Sequence, residues 1–506
     1  MALFFTVVIA LVCLWVIHAI YHSYYWRRRN VPGPKSYPIV GNLLEVGWNS
    51  ICYTQMLTDW SKKYGGYYGL QKGAVNLLVV SDPKLVKEVL VEKFNVFHDR
   101  RMPPCFGEHA NLDKSDVFFA SGIRWKRIRT LINPLFSSKN LKRLIPMIQD
   151  SAEHMIEHIE KRSNPHQSVD IKPYSFEMAM DAMCRIAYGH EKSMQFDNPV
   201  NDQINYFVRH PNDFPVIMSW IFPAAWRLFY VIQIIGYVIT QTGRGAGVFK
   251  VKNLIKERQK QMAAGEEGHE DFISFFMESM DKDIQIEKTT VFNQSEARII
   301  NKKLTEGEVE NNSLLFLLAG PDAIGNTNTF LMYYMAKDPD VQEKIRKEIE
   351  ETCVESTTTF EELGKLRYTE AAIKETLRLQ PIASGILTRR CTNDTKLSNG
   401  LLIEAGTAIE LDIPSVHHNK EIYGEDAVEF RPERFLENSY ADHFYGFGGG
   451  PRICMGMRLG YIIQKLMLIR ILKRYRIRQA KDTEDFEYVG PMTYSINQMK
   501  VILEDL

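Results

Sequence analysis

The chain has 506 residues, of which 45% are hydrophobic and 25% are charged, an ordinary composition for a globular protein. Its length indicates one large domain or two fused domains. Its 62 basic and 62 acidic residues cancel, which gives no support for nucleic acid binding. The seven cysteines form no CxxC pair, which argues against a zinc site or a disulfide framework and suits a reducing compartment.

The N-terminus differs from the rest of the chain. Ala2 to Ile20 is almost wholly apolar, and about 20 such residues can cross a bilayer. Aromatic residues and then Arg27 to Arg29 follow, whereas a cleaved signal peptide carries its positive charge before the apolar run. We predict that residues 1–26 form a retained transmembrane signal anchor, with the N-terminus in the lumen and the body in the cytosol. The alternative is a buried hydrophobic helix.

A basic, proline-containing hinge is predicted over residues 27–34, because Val31-Pro-Gly-Pro34 is stiff and cannot be helical. The main domain then covers residues 35–506. Most of it has helical periodicity, so we expect a mainly α fold with a smaller β-rich portion. Short runs bounded by Gly, Asp or Pro predict strands near Tyr67–Gln71, Val75–Ser81 and Ala408–Leu411.

A second apolar region covers Val216 to Ile239. Pro223, Arg227 and Gln233 interrupt it, which argues against a second membrane span. Two interpretations remain open. The region forms two short helices at a bilayer surface, or it forms an ordinary buried helical hairpin.

A basic helix is predicted around Trp125 and Arg129, which lie one helical turn apart and share a face. By themselves they are typical of a basic helix with an ordinary buried tryptophan. Further positive charges follow nearby, which suit either an acidic partner or a solvated basic face. They are Lys126, Arg127, Lys139, Lys142 and Arg143.

A long helix is predicted from a capping box at Thr305 and Glu308 to about Ala336, ending before Asp338-Pro339. Pro321 lies inside it and lacks the N–H that would bond to the Leu317 carbonyl, so a kink is expected there.

An ion pair is predicted between Glu375 and Arg378, which share a face of a helix that should begin with Thr369 as N-cap and end before Pro381. Arg434, in Phe430-Arg-Pro-Glu-Arg-Phe, is a further member of this cluster by the resemblance described below. Removing one partner of a buried pair typically costs about 3–5 kcal/mol.

The most informative segment is Phe447-Gly-Gly-Gly-Pro-Arg-Ile-Cys-Met-Gly456. Its glycines allow tight turning and close approach to a flat ligand. A helix should follow Cys454, so the thiol lies at a helix N-terminus, where its pKa should be lowered. Arg452 is placed to pair with a carboxylate of such a ligand. A glycine-rich loop around a structural cysteine is the alternative.

This segment resembles the cysteine loop Phe-x-x-Gly-x-Arg-x-Cys-x-Gly of the cytochrome P450 superfamily at every fixed position. Trp125 with Arg129 and the Glu375, Arg378 and Arg434 set match further motifs of that family, in its order. The wording of these motifs looks like the animal microsomal branch, which oxidises drugs, steroids and fatty acids.

The resemblance implies the cytochrome P450 fold and a haem b cofactor, with residues 35–506 as the haem-binding catalytic domain. Cys454 would be the axial iron ligand, as its thiolate. Arg389 is a further position for a haem carboxylate, although Arg390 beside it leaves that assignment open. The implied cofactor-binding residues are Trp125, Arg129, Arg389, Phe447, Arg452, Cys454 and Gly456.

The resemblance also implies partners. Electrons would come from NADPH through a cytochrome reductase, and a cytochrome b-type protein is a possible second donor. The product would be an oxygenated lipophile, made on the cytosolic face of the endoplasmic reticulum membrane. Substrate contacts would come from the ranges 102–122, 207–239, 314–327, 382–387 and 492–496.

The long helix departs from the family pattern Ala-Gly-x-acid-Thr-Thr. Asp322 is retained, but Ala323 and Ile324 replace both threonines. The family uses a threonine hydroxyl to order water and help deliver protons. Asp322 and Thr327, one turn beyond Ala323, are the candidate catalytic residues. Alternatives are a haem-thiolate isomerase or dehydratase acting on a peroxide, and a non-catalytic haem protein that binds lipid.

Overall fold

Helices make up most of the regular structure, as the sequence predicts. The computed structural model describes residues 1–46, 53–107, 114–162, 167–199, 214–240, 243–264, 271–281, 289–290, 297–298, 303–437, 440, 442–490 and 493–506. The first helices are α1 (Ala2–Ser23), α2 (Leu43–Val46), α3 (Tyr53–Tyr64), α4 (Pro83–Lys87), α5 (Pro104–Gly107), α6 (Gly122–Ile132), α7 (Ser138–Arg162), α8 (Lys172–Tyr188), α9 (Phe214–Ile221) and α10 (Trp226–Thr240). The others are α11 (Gly243–Ala263), α12 (Phe272–Asp281), α13 (Glu306–Lys337), α14 (Pro339–Thr352), α15 (Phe360–Lys365), α16 (Arg367–Leu379), α17 (Ile413–His417), α18 (Lys420–Tyr423), α19 (Arg434–Glu437) and α20 (Met457–Arg474).

The strands are short and form small sheets. They are β1 (Tyr67–Lys72), β2 (Val75–Val80), β3 (Ser168–Asp170), β4 (Thr289–Thr290), β5 (Ala297–Arg298), β6 (Thr388–Arg390), β7 (Thr395–Lys396), β8 (Leu402–Ile403), β9 (Ala408–Leu411), β10 (Tyr475–Gln479), β11 (Tyr488–Val489), β12 (Ser495–Ile496) and β13 (Lys500–Asp505). The main sheet has the order β1-β2-β9-β6, with β2 and β9 parallel and the other pairs antiparallel. A second sheet has the order β10-β13-β3, and β4-β5, β7-β8 and β11-β12 are two-stranded. The three strands predicted from the sequence are therefore confirmed.

The long helix α13 begins as predicted. Thr305 accepts from the Glu308 N–H at 3.1 Å, and Glu308 accepts from the Thr305 N–H at 3.0 Å. The helix continues through Pro321 to Lys337. It packs closely on α8, because a Cβ on Gly325 would lie only 3.1 Å from the Cα of Phe176.

A buried ion cluster joins α16 to the segment that precedes the cysteine loop. Arg378 donates to both Glu375 oxygens, at 2.7 and 2.8 Å, and Arg434 donates to the same carboxylate at 3.3 Å. All three side chains are excluded from solvent. The predicted pairing is present, but α16 begins at Arg367, so the prediction of Thr369 as N-cap is wrong. Its hydroxyl instead donates to Glu348 of α14 at 2.7 Å.

His417 connects this cluster to the cysteine loop. Arg378 donates to the His417 carbonyl at 2.7 Å, and the imidazole Nδ1 lies 3.0 Å from the Arg378 carbonyl. The imidazole Nε2 accepts from the Tyr445 N–H at 2.9 Å, which fixes Nδ1 as the protonated nitrogen. The ring is thus held between α16 and the residues that lead into Phe447.

Two aromatic residues after α1 are embedded in the protein. Tyr25 and Trp26 are buried and pack within the protein, whereas Tyr21 and Tyr24 before them are exposed. The Trp26 indole donates to the Leu70 carbonyl at 2.7 Å, and a Cβ on Gly69 would lie 2.1 Å from the indole ring. The Pro32 carbonyl accepts from the Gly69 N–H at 2.8 Å, which docks the proline segment on β1.

The long N-terminal helix itself is present as α1. No helix within the described residues combines the length and the apolar character needed to cross a membrane, and the predicted transmembrane helix lacks that support.

The second apolar region forms two helices, α9 and α10, as both interpretations predict. Part of it is buried, including Trp220 and Phe229, but large apolar side chains of both helices face outward. The alternative of an ordinary buried hairpin is therefore wrong. Phe222, between the two helices, stacks on Trp15 of α1 with 6.1 Å between ring centres. The outward apolar surface of α9 and α10 thus adjoins that of α1.

We predict that His417 makes the fold sensitive to mild acid. Burial, and then the charge of Arg378, lower the pKa of His417 well below its usual range. The unfolded chain takes up this proton below pH of about 6.5 and the folded chain does not, so stability is complete above that pH and falls below it. Below that pH, the free energy of unfolding falls by up to about 1.4 kcal/mol per pH unit for the one proton that the unfolded chain takes up.

Denaturant unfolding at pH 7.5 and 5.5 measures this effect. His417→Gln, which cannot titrate, should lose less stability between the two pH values than the unsubstituted protein, although it is less stable at pH 7.5. The adjacent His418, whose pKa burial also lowers, should preserve part of the slope. His154→Gln is the control, since that ring is exposed. An unchanged slope in His417→Gln would contradict the assignment.

Candidate active site

The cysteine loop is held by its own backbone and by close packing. The Cys454 N–H donates to the Phe447 carbonyl at 2.9 Å. Gly450 has φ of +65°, and a Cβ there would lie 2.0 Å from the Leu90 carbonyl oxygen. Both the conformation and the lack of space exclude a side chain. The expected close approach to a flat ligand does not explain Gly450, because its close neighbour is the protein's own backbone at Leu90.

Cys454 and the middle of α13 border an interior space. Cys454 has accessible surface although protein atoms surround its thiol, so this surface faces a space inside the protein. On α13, Ala319 is also accessible, although Leu317 and Pro321 on either side of it are buried. Phe136 connects the two sides. Its ring centre lies 5.7 Å from that of Phe316 on α13, and a Cβ on Gly456 would lie 3.7 Å from its edge. The loop and the helix therefore face the same region of the interior.

The pKa of the Cys454 thiol is raised in the protein alone, because burial outweighs the other influences. The Gly456 N–H and the charges of Arg129 and Arg100 act in the opposite direction. The sequence expectation of a lowered pKa is therefore wrong for the protein without iron, although its proposed cause, an N–H at the start of α20, is present. Coordination to a metal removes a thiol proton outright.

Four arginines lie around this space. Arg452 donates to the carbonyls of His98 and Ala120, at 2.6 and 2.7 Å, and Arg129 donates to the Ile453 carbonyl at 2.7 Å. Arg389 donates to the Thr388 carbonyl at 2.8 Å. Each of these acceptors is neutral.

Their charges repel one another. Burial, and then the charge of Arg100, lower the pKa of Arg389 to about 9. Burial, and then the charge of Arg129, lower the pKa of Arg100 to about 10. Burial, with Arg100 and Arg389, also lowers the pKa of Arg452. Within the described residues, Nε and Nη2 of Arg389 have no hydrogen-bond partner. The cluster therefore favours anions.

Trp125 supports two of these arginines. Its ring is buried, with the Arg452 guanidinium 4.5 Å and the Arg129 guanidinium 5.8 Å from the ring centre. An arginine over an indole face gains cation–π stabilisation. The predicted shared face of Trp125 and Arg129 is confirmed, and the ring also holds Arg452 in place.

These residues fit haem b. The thiol of Cys454 is a ligand for iron, and the arginine cluster suits the two carboxylates of the porphyrin. The sequence could not tell whether Arg389 or Arg390 would contact the haem, and the strand β6 decides this because it places their side chains on opposite faces. Arg389 is buried in the cluster, whereas Arg390 points to the opposite side and pairs with Asp99 at 2.8 Å. Sequence reasoning missed Arg100, for which the Asp99-Arg100-Arg101 triplet was the only signal.

The polar groups of α13 form a short network near Ala323. Asp322 accepts from the Asn326 amide at 3.0 Å, and Asn326 accepts from the Ser495 hydroxyl at 2.8 Å. The Thr327 hydroxyl donates to the Ala323 carbonyl at 2.7 Å, the ordinary bond of a helical threonine. Sequence reasoning missed Asn326 and Ser495, which lie far apart in the chain.

Some of the basic residues near Trp125 form ion pairs within the protein, and others are exposed at the surface. Arg127 and Arg124 pair with the buried Glu308 of α13, so Arg127 has a structural contact. Lys142 pairs with Glu361 at the surface. Lys139 and Arg143 are exposed.

Comparison with known proteins identifies the family. The family model for cytochrome P450 matches residues 31–497. CYP13A10 of Caenorhabditis elegans is 33% identical over 473 residues, which are 91% of each chain. CYP13A3 of the same organism is 34% identical over 471 residues, which are 91% of this chain and 90% of that relative. The names of both relatives assign them to the family only provisionally. The chain belongs to the cytochrome P450 family.

Membership of the cytochrome P450 family establishes the general class of reaction and the cofactor. The protein is an oxidoreductase of a family whose members are generally haem monooxygenases, and its cofactor is haem b, bound through a cysteine thiolate. Cys454, at the start of α20, has the position and surroundings that this role requires.

We predict opposite effects of Arg389→Gln on the protein with and without haem. Removing a buried charge that no carboxylate of the described chain contacts should raise the free energy of unfolding of the haem-free protein, by about 1–4 kcal/mol. The same change should speed haem loss to an acceptor protein, since a carboxylate contact disappears. Denaturant titration and haem-transfer kinetics measure the two effects.

Arg476→Gln, at an exposed arginine of β10, is the control and should change neither quantity. Equal destabilisation of both forms by Arg389→Gln would mean that Arg389 acts through packing alone.

Proposed function

We propose that the protein is a monooxygenase that inserts one oxygen atom from O₂ into a lipophilic small molecule, such as a steroid, fatty acid or xenobiotic. NADPH would supply the electrons through a reductase. The observation that carries the proposal is the arrangement of Cys454 and a cluster of buried and half-buried arginines around an interior space that α13 borders. Residues 35–506 would form the catalytic domain.

Each residue has a defined role in this proposal. Cys454 holds the iron, and Arg100, Arg129, Arg389 and Arg452 hold the porphyrin carboxylates. Trp125 orients two of these arginines, and Phe447 and Gly456 shape the loop around the thiol. When bound, haem b supplies the iron at which O₂ is activated, and a thiolate ligand favours O–O cleavage.

Asp322 is the group that we propose for proton delivery. Asn326 fixes one of its carboxylate oxygens, and Ser495 fixes Asn326, so the carboxylate is held without help from a threonine at position 323. Such a carboxylate can hold a water molecule or pass a proton. Thr327 is the weaker candidate, because its hydroxyl proton is engaged by the Ala323 carbonyl.

A second candidate function is the rearrangement of a peroxide substrate, which needs neither O₂ nor a reductase. The observation that favours it is Ala323-Ile324 in α13, where the family pattern has two hydroxyl groups. One experiment separates the two functions.

We predict heavy-oxygen products when the full-length, haem-loaded protein is given reductase, NADPH and ¹⁸O₂ with a pool of steroids and fatty acids. Asp322→Asn should lower the rate of product formation by about 100-fold, the lower limit for loss of general acid catalysis. Thr327→Val, which removes only the hydroxyl, is the matched control and should change the rate less than about twofold. Mass spectrometry and NADPH consumption measure the outcome.

Each other outcome has a distinct meaning. Consumption of NADPH into hydrogen peroxide by Asp322→Asn alone would support its role in proton delivery. A loss in Thr327→Val equal to that in Asp322→Asn would assign the role to Thr327. Rearrangement of a peroxide without NADPH or O₂ uptake would overturn the monooxygenase proposal.

We also propose that the protein attaches to the endoplasmic reticulum membrane, with the catalytic domain in the cytosol. Exposed apolar residues of α1 support this, and those of α9 and α10 extend the same surface through the contact of Trp15 with Phe222. The reductase would dock beside the cysteine loop. Arg458 is exposed there and donates to Ser138, next to Lys139. A cytochrome b-type donor would share this basic surface.

We predict that glutamate at three exposed positions of α1, Ile9, Leu14 and Ile17, abolishes flotation of the protein with phosphatidylcholine vesicles, because buried charge opposes insertion. The matched control places glutamate at three exposed apolar positions elsewhere, Val354, Leu402 and Val428, and should float like the unsubstituted protein. Undiminished flotation of the α1 variant would contradict attachment through α1.

A further inference from the structure

A small pocket with a strongly positive lining lies beside the arginine cluster. Its volume is about 110 Å³. Three arginines line it, together with a hydroxyl group and apolar residues. They are Arg100, Arg101, Arg390, Ser121, Met102, Pro104 and Pro223.

The pocket is distinct from the set of arginines assigned to the porphyrin. Arg129, Arg389 and Arg452 do not line it, and only Arg100 belongs to both groups. Arg100 lies over the Phe118 ring at 3.9 Å, and its Nε has no hydrogen-bond partner within the described residues. It therefore lies between the haem side and the pocket and can contact anions on either side.

Positive charge predominates even when haem is included. Asp99 pairs with Arg390 at 2.8 Å and also accepts from the Gly122 N–H, and Asp116 accepts from the backbone of Phe118. These two acids and the two carboxylates of haem b face a larger number of arginines in the described structure. Arg101 has further contacts and is left out of this balance, and the remaining five arginines are Arg100, Arg129, Arg389, Arg390 and Arg452.

The apolar part of the lining indicates the rest of the ligand. Pro223 lies just before α10, whose outward side chains are mostly apolar, with Arg227 as a charged exception. Trp220 of α9 lies 5.5 Å from the Arg101 guanidinium. A molecule with an apolar body and one anionic end can thus contact apolar residues and arginines together, and an arginine binds a carboxylate or sulfate through paired hydrogen bonds.

We propose that this pocket binds the anionic end of the substrate, so that the enzyme prefers lipophiles that carry a carboxylate or a sulfate. This inference rests on the proposed function, since it assigns a chemical class to the molecule that is oxidised.

The test is a Soret titration of the haem-loaded, full-length protein with dodecanoate and, in parallel, with 1-dodecanol. The two ligands share a chain length and differ in charge. Arg101→Gln should raise the Kd of dodecanoate at least about tenfold, the usual loss for a charge-assisted hydrogen bond, and leave that of 1-dodecanol unchanged. Higher salt should weaken only dodecanoate.

Two further variants sharpen the comparison. Arg390→Gln should act in the same direction as Arg101→Gln, and Arg476→Gln, remote on β10, should leave both ligands unaffected. Haem content of each variant shows that the protein is folded. Equal effects of Arg101→Gln on the two ligands, no effect on dodecanoate, or no Soret shift with either ligand would overturn the proposal.

This titration needs neither NADPH nor reductase. Charge-selective binding without oxygenation would leave the pocket assignment standing and count against the monooxygenase proposal. Oxygenation of neutral lipophiles without charge selectivity would overturn the pocket assignment alone.

Discussion

The carboxylate of Glu375 is the contact on which the position of the cysteine loop depends. It balances two buried arginines that come from different parts of the chain, α16 and α19. Removing the carboxylate would leave Arg378 in the interior with contacts to neutral carbonyls, whereas Arg434 would keep Asp426 at 3.1 Å, and a buried charge without an opposite charge is costly. Arg378 donates to the His417 carbonyl, and the His417 imidazole accepts from the N–H of Tyr445, which leads into the cysteine loop. The position of Arg378 therefore influences the position of the loop. The thiol of Cys454 is thus positioned by the ion pairs of Glu375 and by the hydrogen bonds of His417, none of which touches the thiol itself.

The arginines near the thiol differ from this cluster because the described chain gives them no paired carboxylate of the kind that Glu375 provides. Arg378 and Arg434 receive their counter-charge from the chain, whereas Arg389 and Arg452 contact neutral carbonyls and repel each other. The first cluster is complete after folding and stabilises the fold. The second is arranged for anions that a ligand brings, so its energy contributes to binding. The same residue type therefore serves stability in one place and affinity in another.

Local patterns were predictable from the sequence, and features set by distant residues were not. The capping box at Thr305, the strand Ala408–Leu411 and the helix after Cys454 depend on neighbouring residues, and all are present. Thr369 failed as an N-cap because Glu348 of another helix engages it. The raised pKa of Cys454 follows from burial by the whole domain. The sequence also could not separate Arg389 from Arg390, because the pairing of β6 with β9 decides which of them faces inward.

The indole of Trp26 has a mechanical consequence. It fills the space above Gly69 and donates to β1, and the proline segment that follows is hydrogen-bonded to the same strand. The junction between α1 and the domain therefore has little torsional freedom. A catalytic domain on a loose tether would tumble above a surface and present its openings in all directions. In the membrane attachment that we propose, the domain and α1 would therefore turn together, and the angle that α1 adopts would fix which face of the domain points to the membrane.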